Sequence, residues 1–340
     1  MAGAVRSWLA AAMLSAVSTA GQAVPPVPQA PQFATRLPDP SSGRTADSAN
    51  PGDEAHYAIS TSRDRIGRII AAVTINGQGP FRFMLDTGAS STVLAASTPE
   101  KLGLLPHPET PISVVGISGS AIVASVHVDS LDSGDMHFHN LELPVLTGPV
   151  LDGIDGIIGM DGFTGMKVCA DFVKDRFTIS ESRGRRASIG HSVIPLEVVS
   201  DHLLMADGSV GSVRVKEIID TGSAHTLGNP ALLAALLHGH SGGPMPLETA
   251  VVDATQAAQQ GKISRLPEIH LGIAIVDNLP VTFGDFHVFK AWGLEGQPAL
   301  LVGMDVLGSL DELTIDYRRN ELQVIPHDEW STHIVVALGW

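Results

Sequence analysis

Arg68 to Ile75 reads RIIAAVTI, an aliphatic and β-branched run suited to a largely buried strand. Asn76-Gly77 follows, a dipeptide that favours a two-residue hairpin turn because both positions accept positive φ. Phe81 to Leu85 returns as a second strand and runs directly into Asp86-Thr87-Gly88. A short helix is predicted next, with Thr98 as cap, Pro99 at its first position and Gly103 near its end. The second half of the chain repeats this plan. A strand from Val213 to Ile219 enters Asp220-Thr221-Gly222, and a helix follows with Asn229 as cap, Pro230 first and Gly239 as terminator.

The two halves also end alike. Ile157-Ile158-Gly159-Met160-Asp161 matches Leu301-Val302-Gly303-Met304-Asp305, and a hairpin follows each. KVCADFVKDRFTI around Asp171 aligns with ELTIDYRRNELQV around Asp316. Val168, Ala170, Phe172 and Phe177 then correspond to Leu313, Ile315, Tyr317 and Leu322, at alternate positions that face a core. The turns Lys174-Asp175 and Arg319-Asn320 coincide. Three features in the same order point to an internal duplication. The Asp-to-Gly spacing is 73 residues in the first half and 83 in the second, so the second carries a longer insertion.

Composition narrows the classes of function. At 340 residues the chain can hold two cores, and its 35 Gly and 22 Pro suit short strands joined by turns. The formal charge of -15 argues against nucleic acid and against an anionic membrane surface as partners. Residues 1–23 read as a signal peptide: Arg6 in a positive n-region, an apolar Trp8 to Val17, and small residues allowing cleavage after Ala20 or Ala23. That run is too short to span a bilayer, so export to the periplasm or medium is expected, with no membrane anchor. Residues 24–55 are Pro-rich and polar, a disordered leader. The expected division is one lobe over 56–188, a second over 189–328 and a tail over 329–340. Cys169 is the only cysteine, so no intrachain disulfide exists, and its expected role is structural.

FMLDTGASSTVL and EIIDTGSAHTLG, together with IIGMD and LVGMDVLG, resemble the paired motifs of aspartic proteases. The resemblance is to the bacterial retropepsin-like group with two such units in one chain, and it spans about Tyr57 to Ile325. It implies an all-β, bilobal acid-protease fold with Asp86 and Asp220 as catalytic dyad. Thr87 and Thr221 become an interlocking pair, Gly88 and Gly222 the tight turns, and Gly159 and Gly303 the glycines of the crossing beneath each active loop. Two close carboxylates that share a proton can supply both the base and the acid of amide hydrolysis, so the reading needs no cofactor and no metal. Ser90 occupies a place where the family often sets a hydroxyl against its aspartate, whereas the equivalent Ala224 cannot. Asp220 is therefore expected to lack a bond favouring its charged form, and the optimum to be less acidic than a gastric pepsin's.

Substrate cover is expected from a hairpin tip in Val114 to Val123, with Gly116, Ser118 and Gly119 as flap candidates, and more weakly from Thr255 to Gly261. A pepsin-type flap tyrosine is absent, since the only tyrosines are Tyr57 and Tyr317. His137 with His139, and His238 with His240, lack a third ligand at suitable spacing and are expected to face solvent or a helix end. His225 is placed to tune the dyad. The expected partner is a peptide or protein, with a monomer sufficient and a homodimer possible. The competing reading is a catalytically inactive module of the same fold that binds peptide or cell-wall fragments.

Overall fold

The computed structural model describes residues 67–327, apart from 117–118, 135, 162, 164, 200–202, 240–246 and 254–257. It also describes the backbone of Ser7–Leu9, Met13–Leu14, His56–Ile59, Thr61–Arg63 and His333–Val335. Otherwise the expected signal peptide, leader and tail lie outside the described residues. Among the described residues strand accounts for 54% and helix for 11%, which makes the protein all-β as expected.

Each half is built on the strand that enters its Asp-Thr-Gly. Ile69–Ile75 and Gln78–Leu85 form the predicted hairpin, with Asn76 and Gly77 at φ 50 and 74. Gly156–Ile158 lies parallel to Phe83–Leu85 and antiparallel to Val93–Leu94. The second half reproduces this arrangement. Ala299–Val302 runs parallel to Lys216–Ile219 and antiparallel to Leu227–Gly228. Much of its extra length falls between Phe283 and Ala299. There helix His287–Ala291 buries Val288 and Phe289 in a separate cluster with Phe286, Leu294 and Leu301.

The two terminal hairpins meet at the middle of a six-stranded sheet. Its order is His56–Ile59, Arg176–Glu181, Met166–Asp171, Leu310–Asp316, Glu321–Pro326 and Ser192–Val199. In the central pair Val168 faces Ile315, Cys169 faces Thr314 and Ala170 faces Leu313. Under the internal duplication Val168 corresponds to Leu313 and Ala170 to Ile315, so the register is symmetric about Cys169 and Thr314. A local two-fold axis therefore passes between these two residues. All eight aligned hairpin residues are buried, and Asp175 and Asn320 take φ 47 and 52 at the tips. Burial pushes the Cys169 thiol up to about 11, which suits a structural cysteine.

The helices correct one expectation. Asn229 caps Pro230–Gly239 as predicted, its Oδ1 accepting from Leu232 N at 2.9 Å. Thr98 does not cap Ser97–Leu102, whose cap position is Ala96. Thr98 is the second residue of the helix, one turn position too late for its oxygen to accept from the first-turn amides as a cap would, and its buried hydroxyl donates instead to Asp155 O at 2.6 Å. Pro99 still falls in the first turn, where no backbone donor is required.

One duplicated core position differs in kind. Phe83 and Glu217 each lie three residues before an aspartate, opposite Ala71 and Ala206, and both are fully buried. Neither oxygen of the Glu217 carboxyl has a hydrogen-bond partner, and a Cβ at Gly208 would overlap that carboxyl. Burial, reinforced by the Asp207 charge, holds Glu217 well above the usual carboxylate range. A raised folded pKa gives stability that is complete below the unfolded value and is lost as pH rises through the folded one. Glu217→Gln should therefore match the parent near pH 4 and exceed it at pH 8 by more than about 2 kcal/mol in denaturant unfolding. Equal stability of the two proteins at pH 8 would refute this.

Candidate active site

Asp86 and Asp220 end the two parallel-paired strands, and the same backbone bond holds each in place. Asp86 N donates to Ile158 O at 3.1 Å, and Asp220 N to Val302 O at 3.0 Å. The loops then cross between halves. Thr87 N donates to Thr221 Oγ1 and Thr221 N to Thr87 Oγ1, both at 3.1 Å. The hydroxyls donate onward, Thr87 to Ile219 O at 2.8 Å and Thr221 to Leu85 O at 3.0 Å. Four buried bonds thus join the halves.

The glycines are required by contact across this crossing. A Cβ at Gly88 would stand 2.5 Å from Asp220 Cγ, and one at Gly222 would overlap Asp86 Cγ. Each carboxyl therefore rests on the backbone of the opposite loop, and no side chain larger than hydrogen fits between. Gly159 and Gly303 are equally confined, against the Ser91 and His225 backbones.

Two residue pairs that sequence reasoning left without a role support these loops. Thr92 N and Oγ1 both donate to Asp161 Oδ1 at 2.9 Å, and Gly159 N donates to Thr92 Oγ1 at 3.3 Å. In the second half Thr226 donates to Asp305 through N at 2.9 Å and through Oγ1 at 2.6 Å, and Gly303 N donates to Thr226 Oγ1 at 3.1 Å. The signal was present: Asp161 and Asp305 close both GMD repeats, and Thr92 and Thr226 hold the sixth position after each catalytic-type Asp.

Both carboxyls are fully buried and near enough that one, once protonated, can hydrogen-bond the other. Gly88 N donates to Asp86 Oδ1 at 2.8 Å, and Gly222 and Ser223 N donate to Asp220 Oδ1 at 2.9 and 3.1 Å. Burial lifts Asp86 well above the usual carboxylate range, helped by the facing Asp220 charge and opposed by N–H groups of Gly88 and Ala89. Burial also pushes Asp220 up to about 7, against its bond to Asp86 and the N–H groups of Gly222 and Ser223. The pair can hold one proton between two oxygens and present the other carboxyl as a base.

Ser90 is buried, yet Asp86 Oδ2 has no hydrogen-bond partner. The residue whose N–H supports the carboxyl is the third after the aspartate, Ala89 or Ser223, because the tight turn through glycine aims that amide back at the side chain. His225 is found 3.8 Å from Asp305 and does not enter the causes that shift Asp220.

The first expected flap is a hairpin of His107–Val115 and Ser120–Ser133, closed by Gly116 N donating to Gly119 O at 2.7 Å. Ser118 lies outside the described residues. In the second half the tip of the expected stretch, residues 254–257, lies outside the described residues; on its C-terminal side Gly261 pairs with Thr249 inside Ala258–Arg265, where the Thr282 side chain limits it to glycine. His137 bonds Asp132 at 2.6 Å, His139 is exposed, and His238 sits in the last turn of its helix. His240 is outside the described residues. Among the described residues no group of three His, Cys, Asp or Glu side chains could hold a metal, and no helix is long and apolar enough to cross a membrane.

Residues 71–161 match the family model of aspartyl proteases. That match supports an aspartyl protease family for this segment of the first half. Among curated proteins none matches the chain. The matched segment holds Asp86 and its loop, while Asp220 joins the site through the crossing just described.

The crossing carries a stability prediction. Thr221→Val removes a hydroxyl that both accepts and donates across the halves, leaving Thr87 N and Leu85 O buried without partners. A loss of about 2–4 kcal/mol is expected in denaturant unfolding, with strong coupling to Thr87→Val in a double-mutant cycle. Additive losses would contradict a shared crossing.

Proposed function

We propose that the protein is an exported aspartic endopeptidase in which Asp86 and Asp220 activate water between two lobes, residues 56–188 and 189–328. The observation that carries this reading is the reciprocal burial of the two carboxyls, each against the glycine of the other loop and each raised in pKa. A binding module has no use for two carboxyls whose proximity makes full ionisation costly. A proton-sharing pair has a direct one. The ionised carboxyl takes a proton from water as the water oxygen bonds the scissile carbonyl carbon, the protonated one gives its proton to the carbonyl oxygen, and the C–N bond then breaks as a proton passes to the departing nitrogen. Hairpins 107–123 and 247–265 would close on an extended peptide, and strand-like backbone bonding would align it.

Wild type, Asp86→Asn and Asp220→Asn should be compared on a peptide library, with and without a statine-type inhibitor. Loss of cleavage by at least about a thousandfold in each variant, and inhibition of the parent, are expected. A folded parent that binds peptides without cutting them would instead support the inactive-module reading. The elevated pair should keep its shared proton into the near-neutral range, so the pH–rate profile should be bell-shaped with a maximum well above that of an isolated Asp. A maximum below about pH 3 would contradict that assignment. For export, the mature N-terminus should follow Ala20 or Ala23 by intact mass.

A further inference from the structure

Against a net charge of -15, the segment joining the two halves is strongly basic. Arg183, Arg185 and Arg186 lie between Glu181 and Ser192, a stretch without regular structure, and all three are exposed. The tip of the last hairpin adds Arg318, also exposed, and Arg319. Five of the chain's 21 Lys and Arg residues therefore gather here.

Hydrogen bonds fix these two segments against each other. Arg318 Nη1 donates to Ser182 O at 3.0 Å and Arg319 Nη1 to Gly184 O at 2.9 Å. Gly184 turns at φ 66, and its N donates to Ser182 Oγ at 3.2 Å. The nearby acids are largely engaged. Asp316 accepts from Ser182 Oγ at 2.9 Å and from two backbone amides, and Glu321 is forked onto Arg319 at 2.7 Å. Arg186 lies close enough to Glu321 to lower its pKa, and Glu181 is exposed. Arg185 has no hydrogen bond or ion pair among the described residues. Three residues beyond Arg186, Ile189 is wholly exposed at 106%, and Val193 is 43% exposed. No Phe, Tyr or Trp occurs from 178 to 200, His191 is mostly covered against Glu312 and Tyr317 is buried, so the patch offers no exposed ring on which nucleic-acid bases could stack.

We propose that this arginine patch, with Ile189 at its edge, docks the protein peripherally on an anionic lipid surface through headgroup phosphates. Guanidinium groups suit phosphate oxygens, and a protruding aliphatic side chain suits the headgroup boundary. The unfavourable net charge sets the conditions. At about 0.01 M salt the Debye length is about 30 Å, and the whole acidic molecule is repelled. At about 0.1 M it is about 10 Å, so only the patch in contact is felt. Binding should thus pass through a maximum with salt, whereas a uniformly basic protein binds best at the lowest salt.

The test is co-sedimentation with vesicles of phosphatidylglycerol and phosphatidylcholine, or of phosphatidylcholine alone, at about 0.01, 0.1 and 1 M salt. The parent should bind the anionic vesicles best at the middle concentration. Replacing Arg183, Arg185 and Arg186 together by Ser should weaken binding roughly a hundredfold, and Ile189→Ser several-fold, with near-UV circular dichroism unchanged. Should the triple variant unfold, Arg185→Glu alone carries the test. Equal binding to phosphatidylcholine vesicles, binding unaffected by these substitutions, a monotonic fall with salt, or tighter binding to duplex DNA than to anionic vesicles would each overturn the proposal.

Discussion

Reciprocal bonding between Thr87 and Thr221 is the constraint on which the structure depends. Each hydroxyl accepts from the opposite backbone amide and donates to the carbonyl that precedes the opposite aspartate. The bonds are buried, so no water can replace them, and neither loop can be satisfied without the other. They bring two carboxyls together at a depth where both cannot ionise easily. The raised pKa values follow first from that burial, and the glycine-only contacts from the enforced proximity.

The six-stranded sheet makes the same demand at a second level. Its central pairing is symmetric about Cys169 and Thr314, so two sequence-equivalent hairpins complete each other's hydrogen bonding. Within this near-symmetry, the departures are local and chemical. Glu217 replaces the aromatic core residue that the first half has in Phe83, and Ser223 stands where the first half has Ala89. The second half thereby sets an additional buried ionisable group three residues before its aspartate. Proton dependence is thus distributed unevenly over two similar frameworks.

Charge is uneven on the outside as well. An acidic chain concentrates arginines where its two halves are joined, and it uses two of them to pin that joint. Such a surface can be repelled at long range and attracted at contact, because ionic screening removes the first effect before the second.

The duplication, the strands entering Asp86 and Asp220, the Asn76-Gly77 turn and the eight core positions of the terminal hairpins were legible along the chain. Each depends on periodicity or local turn chemistry, which neighbouring residues determine by themselves. The amide support of each carboxyl was not legible, because only the direction of N–H groups in the folded tight turn brings Ala89 and Ser223 back to Asp86 and Asp220. Thr98 likewise carried a capping signal but was claimed by a carbonyl 57 residues away. The sequence determined which residues repeat and which face a core, since spacing and hydrophobicity travel with the chain. Only the tertiary structure decided which donor meets which carboxyl, that Glu217 lies without a partner, and that distant arginines share one surface, since these follow from contacts between remote segments.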